Sequence, residues 1–371
     1  MELYDYYNKE TKTLSLVDIS KYNLLCSEKY VDIFNEIENI IFDDWFNKPA
    51  DNLPKNLIHL TFSNSFNQSV DNLPKNLTHL TFSFNFNQPV DNLPKNLTQL
   101  TFGVKFNQPV DNLPKTLTHL TFDCHFDKPV DNLPNSLTHL TFSFNFNKSV
   151  DNLPNSLTHL TFGWYFNQPV DNLPENLTNL TFGYQFNHLV NNLPKKITHL
   201  NFDNDFNHQV DNLPNSITHL VLSNQFNQTV DKLPENLTHL IFGLYFNQKV
   251  DNLPETLTHL YLSESFNQPV DNLPKNLTHL SFGWSFNQPI NNLSKNIKNL
   301  FFFCNNNALN NLPEYIEKIY IKFDDDKINK YIINLPITIN EIIIQKESYK
   351  KYFTKIPFGV KFTIIPNFFK V

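Results

Sequence analysis

The side chains best suited to chemistry in this chain are histidines, and they recur on a fixed spacing. His59, His79, His119, His139, His159, His199, His219, His239, His259 and His279 fall on one 20-residue period, with Gln99 and Asn179 at the two remaining positions. Imidazoles in such numbers suit metal coordination or proton exchange near neutrality. Zinc, however, needs ligands gathered tetrahedrally with Cys or carboxylate at hand. A straight row of His flanked by Thr offers no such gathering, and Gln and Asn stand in the row without compensation. Neither a metal nor another cofactor is expected. What the row predicts is electrostatic. Imidazoles on adjacent strands would lie about 4.8 Å apart, where protonated neighbours repel and hold each other's pKa down.

Other catalytic patterns are missing. Ser63 and Thr81 lie near histidines, but no third group orders them into a triad. Acidic residues such as Asp51 and Glu175 recur as solvated surface, and the 6 glycines form no phosphate loop. The expectation is a protein that is not an enzyme.

The histidines are positioned by a repeat. From Asp51 to Ile290 the chain runs through twelve units of 20 residues without insertion, DNLPKNLTHLTFSFNFNQPV at 71–90 being representative. Counted from Asp51 as place 1, apolar residues fall at places 3, 7, 10, 12, 16 and 20. In the unit 71–90 these are Leu73, Leu77, Leu80, Phe82, Phe86 and Val90. Leu-Thr-His-Leu-Thr-Phe at places 7–12 reads as a short strand that turns its last Leu and Phe inward and its His and second Thr outward. Gly, Ser or Asp at place 13 ends the strand in a turn. Leu-Pro at places 3 and 4 enforces an extended approach. The return segment is too short for a helix and is expected to be turns and extended chain, with room for a short second strand.

A fixed period this short means a solenoid, one coil per unit, stable only through the stacking of coil on coil. Asn at place 17 recurs from Asn67 to Asn287, Asp127 excepted. It predicts a buried ladder in which each amide serves its own coil and the next.

The fold class expected is mainly β, a leucine-rich-repeat-like parallel β-solenoid of roughly 16 coils, with little helix outside an N-terminal cap. Residues 1–30 form that cap, with space for one short helix. Residues 31–310 form the repeat solenoid, with degenerate units at 31–50 and 291–310. Residues 311–371 close the other end with worn coils marked by Leu312-Pro313, Leu335-Pro336 and Ile356-Pro357. Composition agrees: 36 Phe and 14 Tyr against two Ala, with 23 Pro, leave little for long helices.

The units resemble FNIP repeats, through Leu-Pro-x-x-Leu-Thr-x-Leu-x-Phe-Gly-x-x-Phe-Asn-Gln-Pro-Val across residues 51–290. The resemblance implies a leucine-rich-repeat-like solenoid with a protein-binding role and brings no catalytic residues. Some members carry an F-box that recruits a ubiquitin ligase. Residues 1–30 are too short for one and lack its apolar helical pattern, so that adaptor role is not expected.

Places 14 and 15 follow the strand and its turn and vary while their surroundings do not. They hold Phe84, Phe144, Trp164, Tyr165, Tyr184, Leu244, Tyr245 and Trp284. Variable aromatics at one fixed location on a rigid frame suit an interface, since aromatics anchor binding surfaces. With His139 and His159 on the adjoining sheet face, they are the candidate partner-binding residues. The packing alternative is that some tuck under neighbouring turns. A self-associating rod is the second functional reading, and no oligomeric state follows from the sequence.

The partner class expected is protein. A net charge of −7 with no Arg disfavours nucleic acid, for which bidentate guanidinium readout is the strongest tool. No stretch is apolar enough to span a membrane. The N-terminal MELYDYYNKETKTL lacks a signal-peptide core, and Cys26, Cys124 and Cys304 are too scattered for a disulfide framework. A cytoplasmic location is expected.

Overall fold

The computed structural model describes residues 2–16, 22, 28–303, 309, 312–323, 332 and 334–366. Cys26 and Cys304 lie outside the described residues. The chain divides into two compact units, Met1–Phe186 and Asn187–Val371.

In the first unit, β1 (Tyr7–Asn8) and β2 (Thr13–Leu16) form an antiparallel pair. After it come the helix α1 (Val31–Glu36) and β3 (Asn39–Phe42). Seven three-residue strands follow: β4 (His59–Thr61), β5 (His79–Thr81), β6 (Gln99–Thr101), β7 (His119–Thr121), β8 (His139–Thr141), β9 (His159–Thr161) and β10 (Asn179–Thr181). Each pairs in parallel with the next in the same register, Leu to Leu and His to His except where Gln99 and Asn179 stand in the row, and β2 joins the ladder beside β3. Within residues 1–30, Leu3–Tyr6 and Glu28–Tyr30 form short 3-10 helices and Tyr22 is helical, and α1 follows directly from Val31.

The second unit continues the pattern with β11 (His199–Asn201), β12 (His219–Val221), β13 (His239–Ile241), β14 (His259–Tyr261) and β15 (His279–Ser281). It closes with longer strands, β16 (Asn299–Phe303), β17 (Lys318–Lys322), β18 (Glu341–Ile344) and β19 (Lys361–Ile364), all parallel. Ile316, Ile319, Ile321, Ile339, Ile342 and Ile344 are buried as the worn coils require, whereas Leu335 is half-buried and Ile356 is exposed. These two fail to act as core because the coils fray toward the end of the stack.

The strand of each regular unit is shorter than the hexapeptide suggests. Leu57 and Leu77 are buried at the corner before the strand, their N–H groups bonded to Pro54 and Pro74 carbonyls in a turn. Between residues 43 and 298 the return segments carry turns and bends and no second strand. The core consists of two Phe columns. Phe62 and Phe66 stack within one coil at 3.7 Å, and each lies near 6 Å from its counterpart in the next coil. A lone coil would cover only the facing sides of this ring pair and leave the rest in water. Stacking buries them, which is the physical reason the array must be long.

The asparagine ladder is present, but it is not buried. Asn67, Asn87 and Asn107 each donate a backbone N–H to Oδ1 of the preceding Asn at 2.9–3.0 Å. The side chains are half-buried or exposed because they run along the outside of the turn to reach the next coil, and do not point into the core. Gln at place 18 adds a second rung. Gln88 Nε2 donates to Asn67 Oδ1 at 3.1 Å, and Gln108 Nε2 to Asn87 Oδ1 at 3.1 Å.

Candidate functional site: an aromatic cluster beside a histidine column

Places 14 and 15 sit on a backbone held between coils. Tyr165 N–H donates to the Phe144 carbonyl and Gln185 N–H to the Trp164 carbonyl, both at 2.9 Å. The turn before them is tight. A Cβ on Gly163 would lie 1.4 Å from the Ser143 carbonyl oxygen, so this turn has no room for a side chain. Gly therefore fixes the approach of the coil 151–170 to its neighbour and sets the height of Trp164.

On that frame four of the candidate residues come together. The Trp164 and Tyr184 rings stack at 4.0 Å and 2°. Phe144 lies 5.4 Å from Trp164, nearly parallel, and 5.2 Å from Tyr165, edge to face. Phe144, Trp164 and Tyr165 keep about two-fifths of their surface exposed (39–40%), and Tyr184 is half-buried. The rings thus pack on one another and still face solvent.

The other candidates are not in this cluster. Phe84 is exposed, with Lys105 Nζ 5.3 Å from its ring centre. Leu244 and Tyr245 are exposed in the second unit. Trp284, also there, packs at 4.7 Å on Phe303 and is half-buried.

His139 and His159 stack at 4.2 Å and 12°, as do His119 and His139. The second unit repeats this from His199 to His279, with centroids 4.1–4.3 Å apart. A threonine hydroxyl anchors each of these rings. Thr138 Oγ1 lies 3.1 Å from the Thr118 carbonyl and 2.9 Å from His139 Nδ1. His159 is held the same way by Thr158.

Protonation of the column is disfavoured, and mutual repulsion is the lesser cause. Burial lowers His79, His139, His219 and His239 below the ordinary 6.5, and the charge of nearby histidines adds to it. His279 is lowered by burial, and His259 is pushed down to about 4, again chiefly by burial. Among the described residues no group of three or more His, Cys, Asp or Glu is placed to hold a metal ion. Likewise, among the described residues no helix is long and apolar enough to cross a membrane.

One feature of the sheet face escaped the sequence reading. Place 11, beside the histidines, is Thr in every strand from β4 to β10, Thr61 through Thr181. In the second unit it is Asn201 and then becomes Val221, Ile241, Tyr261, Ser281, Phe301 and Tyr320 along successive strands. Phe301 and Tyr320 stack at 4.0 Å, and Ser281 is buried between Tyr261 and Phe301. The signal stands in the sequence at one place of each repeat, but only the register of the strands shows that these residues form one continuous column.

Three comparisons bear on kinship. FNIP Repeat matches occur ten times and together run from residue 46 to residue 305. Among solved structures, CroV588, described as a novel circular LRR protein, is 33% identical with a TM-score of 0.66, covering 96% of this chain and 70% of that one. YopM from Yersinia enterocolitica is 18% identical with a TM-score of 0.47, covering 88% of this chain and 72% of that one. No curated protein matches. Repeat scaffolds of this type are generally non-enzymatic and typically serve protein–protein interaction. With the 20-residue coils, the Phe columns and the Asn ladder in place, the chain belongs to the FNIP-repeat family.

Proposed function

We propose that this protein is a non-enzymatic binding scaffold that docks a protein partner through the aromatic cluster Phe144, Trp164, Tyr165 and Tyr184 and the adjoining sheet face. The stack of Trp164 on Tyr184 at 4.0 Å carries the reading. Aromatic side chains dominate interface energetics when they are rigid and centrally placed, because little conformational entropy remains to be lost on binding. Here the rings are pre-ordered by one another and by the hydrogen bonds between coils. His139 and His159 extend the surface with stacked imidazoles. A location inside the cell belongs to the same proposal.

Affinity capture from a lysate of the expressing cells tests it, comparing wild type with Trp164→Ala/Tyr165→Ala/Tyr184→Ala. Loss of a specific protein from the variant's capture is expected. The same partners at equal yield would remove the cluster as the docking site.

A second reading is self-association, favoured by the uncharged column Val221, Ile241, Tyr261, Phe301 and Tyr320 on the second unit's sheet face. Size-exclusion chromatography with light scattering decides between them. A monodisperse monomer disfavours self-association.

A further inference from the structure

A groove of about 590 Å³ runs along the first unit, bounded on one side by Asn47, Asn67, Asn87 and Asn107 of the ladder. Its opposite wall is the place-15 column, Ser65, Asn85, Lys105 and His125. The ladder's own bonding decides what this groove offers. A backbone N–H can only donate, so the atom it meets on each Asn must be Oδ1. Oδ1 of Asn47, Asn67 and Asn87 also accepts from Gln68, Gln88 and Gln108 respectively. Both lone-pair positions are then taken, and among the described residues the Nδ2 groups have no partner. No carboxylate lines the groove, and Lys105 supplies a fixed positive charge. In a chain of net charge −7 this is a row of amide donors beside a lysine, with no carboxylate in the lining.

We infer that the groove binds an acidic peptide segment in extended form, through its carboxylate side chains. Spacing favours side chains over main chain. The ladder presents one amide per coil, about every 4.8 Å, whereas carbonyls on one side of an extended chain recur about every 6.6 Å. Main-chain carbonyls would fall out of step within two coils. Flexible Asp or Glu side chains reach successive amides without that constraint, and a bond from an amide to a carboxylate is charge-assisted. Four consecutive rungs span about 14 Å, enough for four or five extended residues. The same places, 15 and 17, continue along the unit to Tyr165 and Asn167, so a segment leaving the groove heads toward the aromatic cluster. The inference rests on the reading of the chain as a protein-binding scaffold.

The ladder contains its own control. Asp127 occupies a rung and still accepts Asn147 N–H at 3.0 Å, so Asp in place of Asn preserves the ladder while replacing a donor with a carboxylate. The test uses the full chain at low ionic strength and a fluorescein-labelled oligoglutamate of about ten residues, roughly twice the groove's span, followed by anisotropy. Oligolysine and oligothymidylate of the same length are the comparison probes. Wild type is expected to bind oligoglutamate at least about tenfold more tightly than oligolysine. Asn67→Asp/Asn87→Asp and, separately, Lys105→Glu are each expected to weaken it by about tenfold. Lys105 is outside the ladder, so its variant remains decisive if the double variant fails to fold. Trp164→Ala/Tyr184→Ala should leave oligoglutamate binding within about twofold, which separates failure of the groove from failure of the aromatic cluster. Oligoglutamate binding no tighter than oligolysine, an unchanged affinity in a folded double variant or in Lys105→Glu, or tighter binding of oligothymidylate would each overturn the inference.

Discussion

Asp127 and Lys148 form an ion pair, Nζ to Oδ2 2.7 Å, at the one rung where the regular units replace Asn of the ladder. In most other coils Gln answers the preceding Asn, as Gln108 answers Asn87, although Lys128 follows Asn107 and His188 and His208 follow Asn167 and Asn187. A carboxylate brings a negative charge in place of an amide, and a cation at place 18 neutralises it while Oδ1 keeps the Asn147 N–H. Sequence, ladder geometry and charge agree at this rung. Lys148→Gln alone is expected to cost about 0.5–1 kcal/mol, the modest value proper to a pair whose side chains are 41% and 35% exposed. Asp127→Asn/Lys148→Gln restores the common rung and should return stability to within about 0.5 kcal/mol of wild type. Denaturant titration of the single and double variants measures both, and a double variant as weak as the single would refute the exchange.

The ladder itself can be weighed at Asn87. Removing its oxygen leaves Asn107 N–H without its acceptor and takes from Gln108 one of its two acceptors, the Asn87 main-chain carbonyl at 3.1 Å remaining. Asn87→Ala should therefore destabilise by about 1–3 kcal/mol, whereas Asn87→Asp should cost under about 1 kcal/mol. Equal unfolding midpoints for the two variants would show that the amide oxygen contributes nothing.

At Gly163 the prediction concerns space. An added Cβ meets the Ser143 carbonyl oxygen at 1.4 Å, so the coil must shift. Gly163→Ala is expected to lose about 1–3 kcal/mol. It should also weaken the near-ultraviolet circular dichroism of the Trp164 and Tyr184 stack, which that turn positions. A variant with wild-type stability and spectrum would contradict the close approach.

The histidine column makes stability depend on pH, with a definite sign. Folded-state pKa values lie below the unfolded value of 6.5, down to about 4 at His259, so the unfolded chain binds more protons across that range. Stability is full above pH 6.5 and falls as pH drops toward 4. The melting temperature at pH 5.5 should be lower than at pH 7.5, and His259→Gln should reduce the difference. Equal melting temperatures at the two pH values for wild type would remove the effect.

Much of this was legible because a 20-residue period repeats each physical requirement twelve times. Places 12 and 16 announced the Phe columns, and the recurrence at place 17 announced the ladder. Exposure of that ladder was not legible, because only the coil pitch reveals that Asn87 reaches along the turn's outer side to Asn107. Gln at place 18 and the Lys148 exchange stood in the sequence, but their meaning required knowing that places 17 and 18 of successive coils touch. The Trp164 cluster was half legible. Its residues were singled out by variability at places 14 and 15, while their stacking on one another, and the separation of Phe84 and Trp284 from them, depended on the spacing of coils.

The most direct test of the docking account is site-specific photocrosslinking in the lysate. A benzophenone amino acid replaces Tyr165 in one protein and Glu175, at an outer turn of the next coil, in another. The account predicts discrete adducts with a partner protein at position 165 and none at position 175. Adducts of equal yield and identity at both positions, or only at 175, would contradict it.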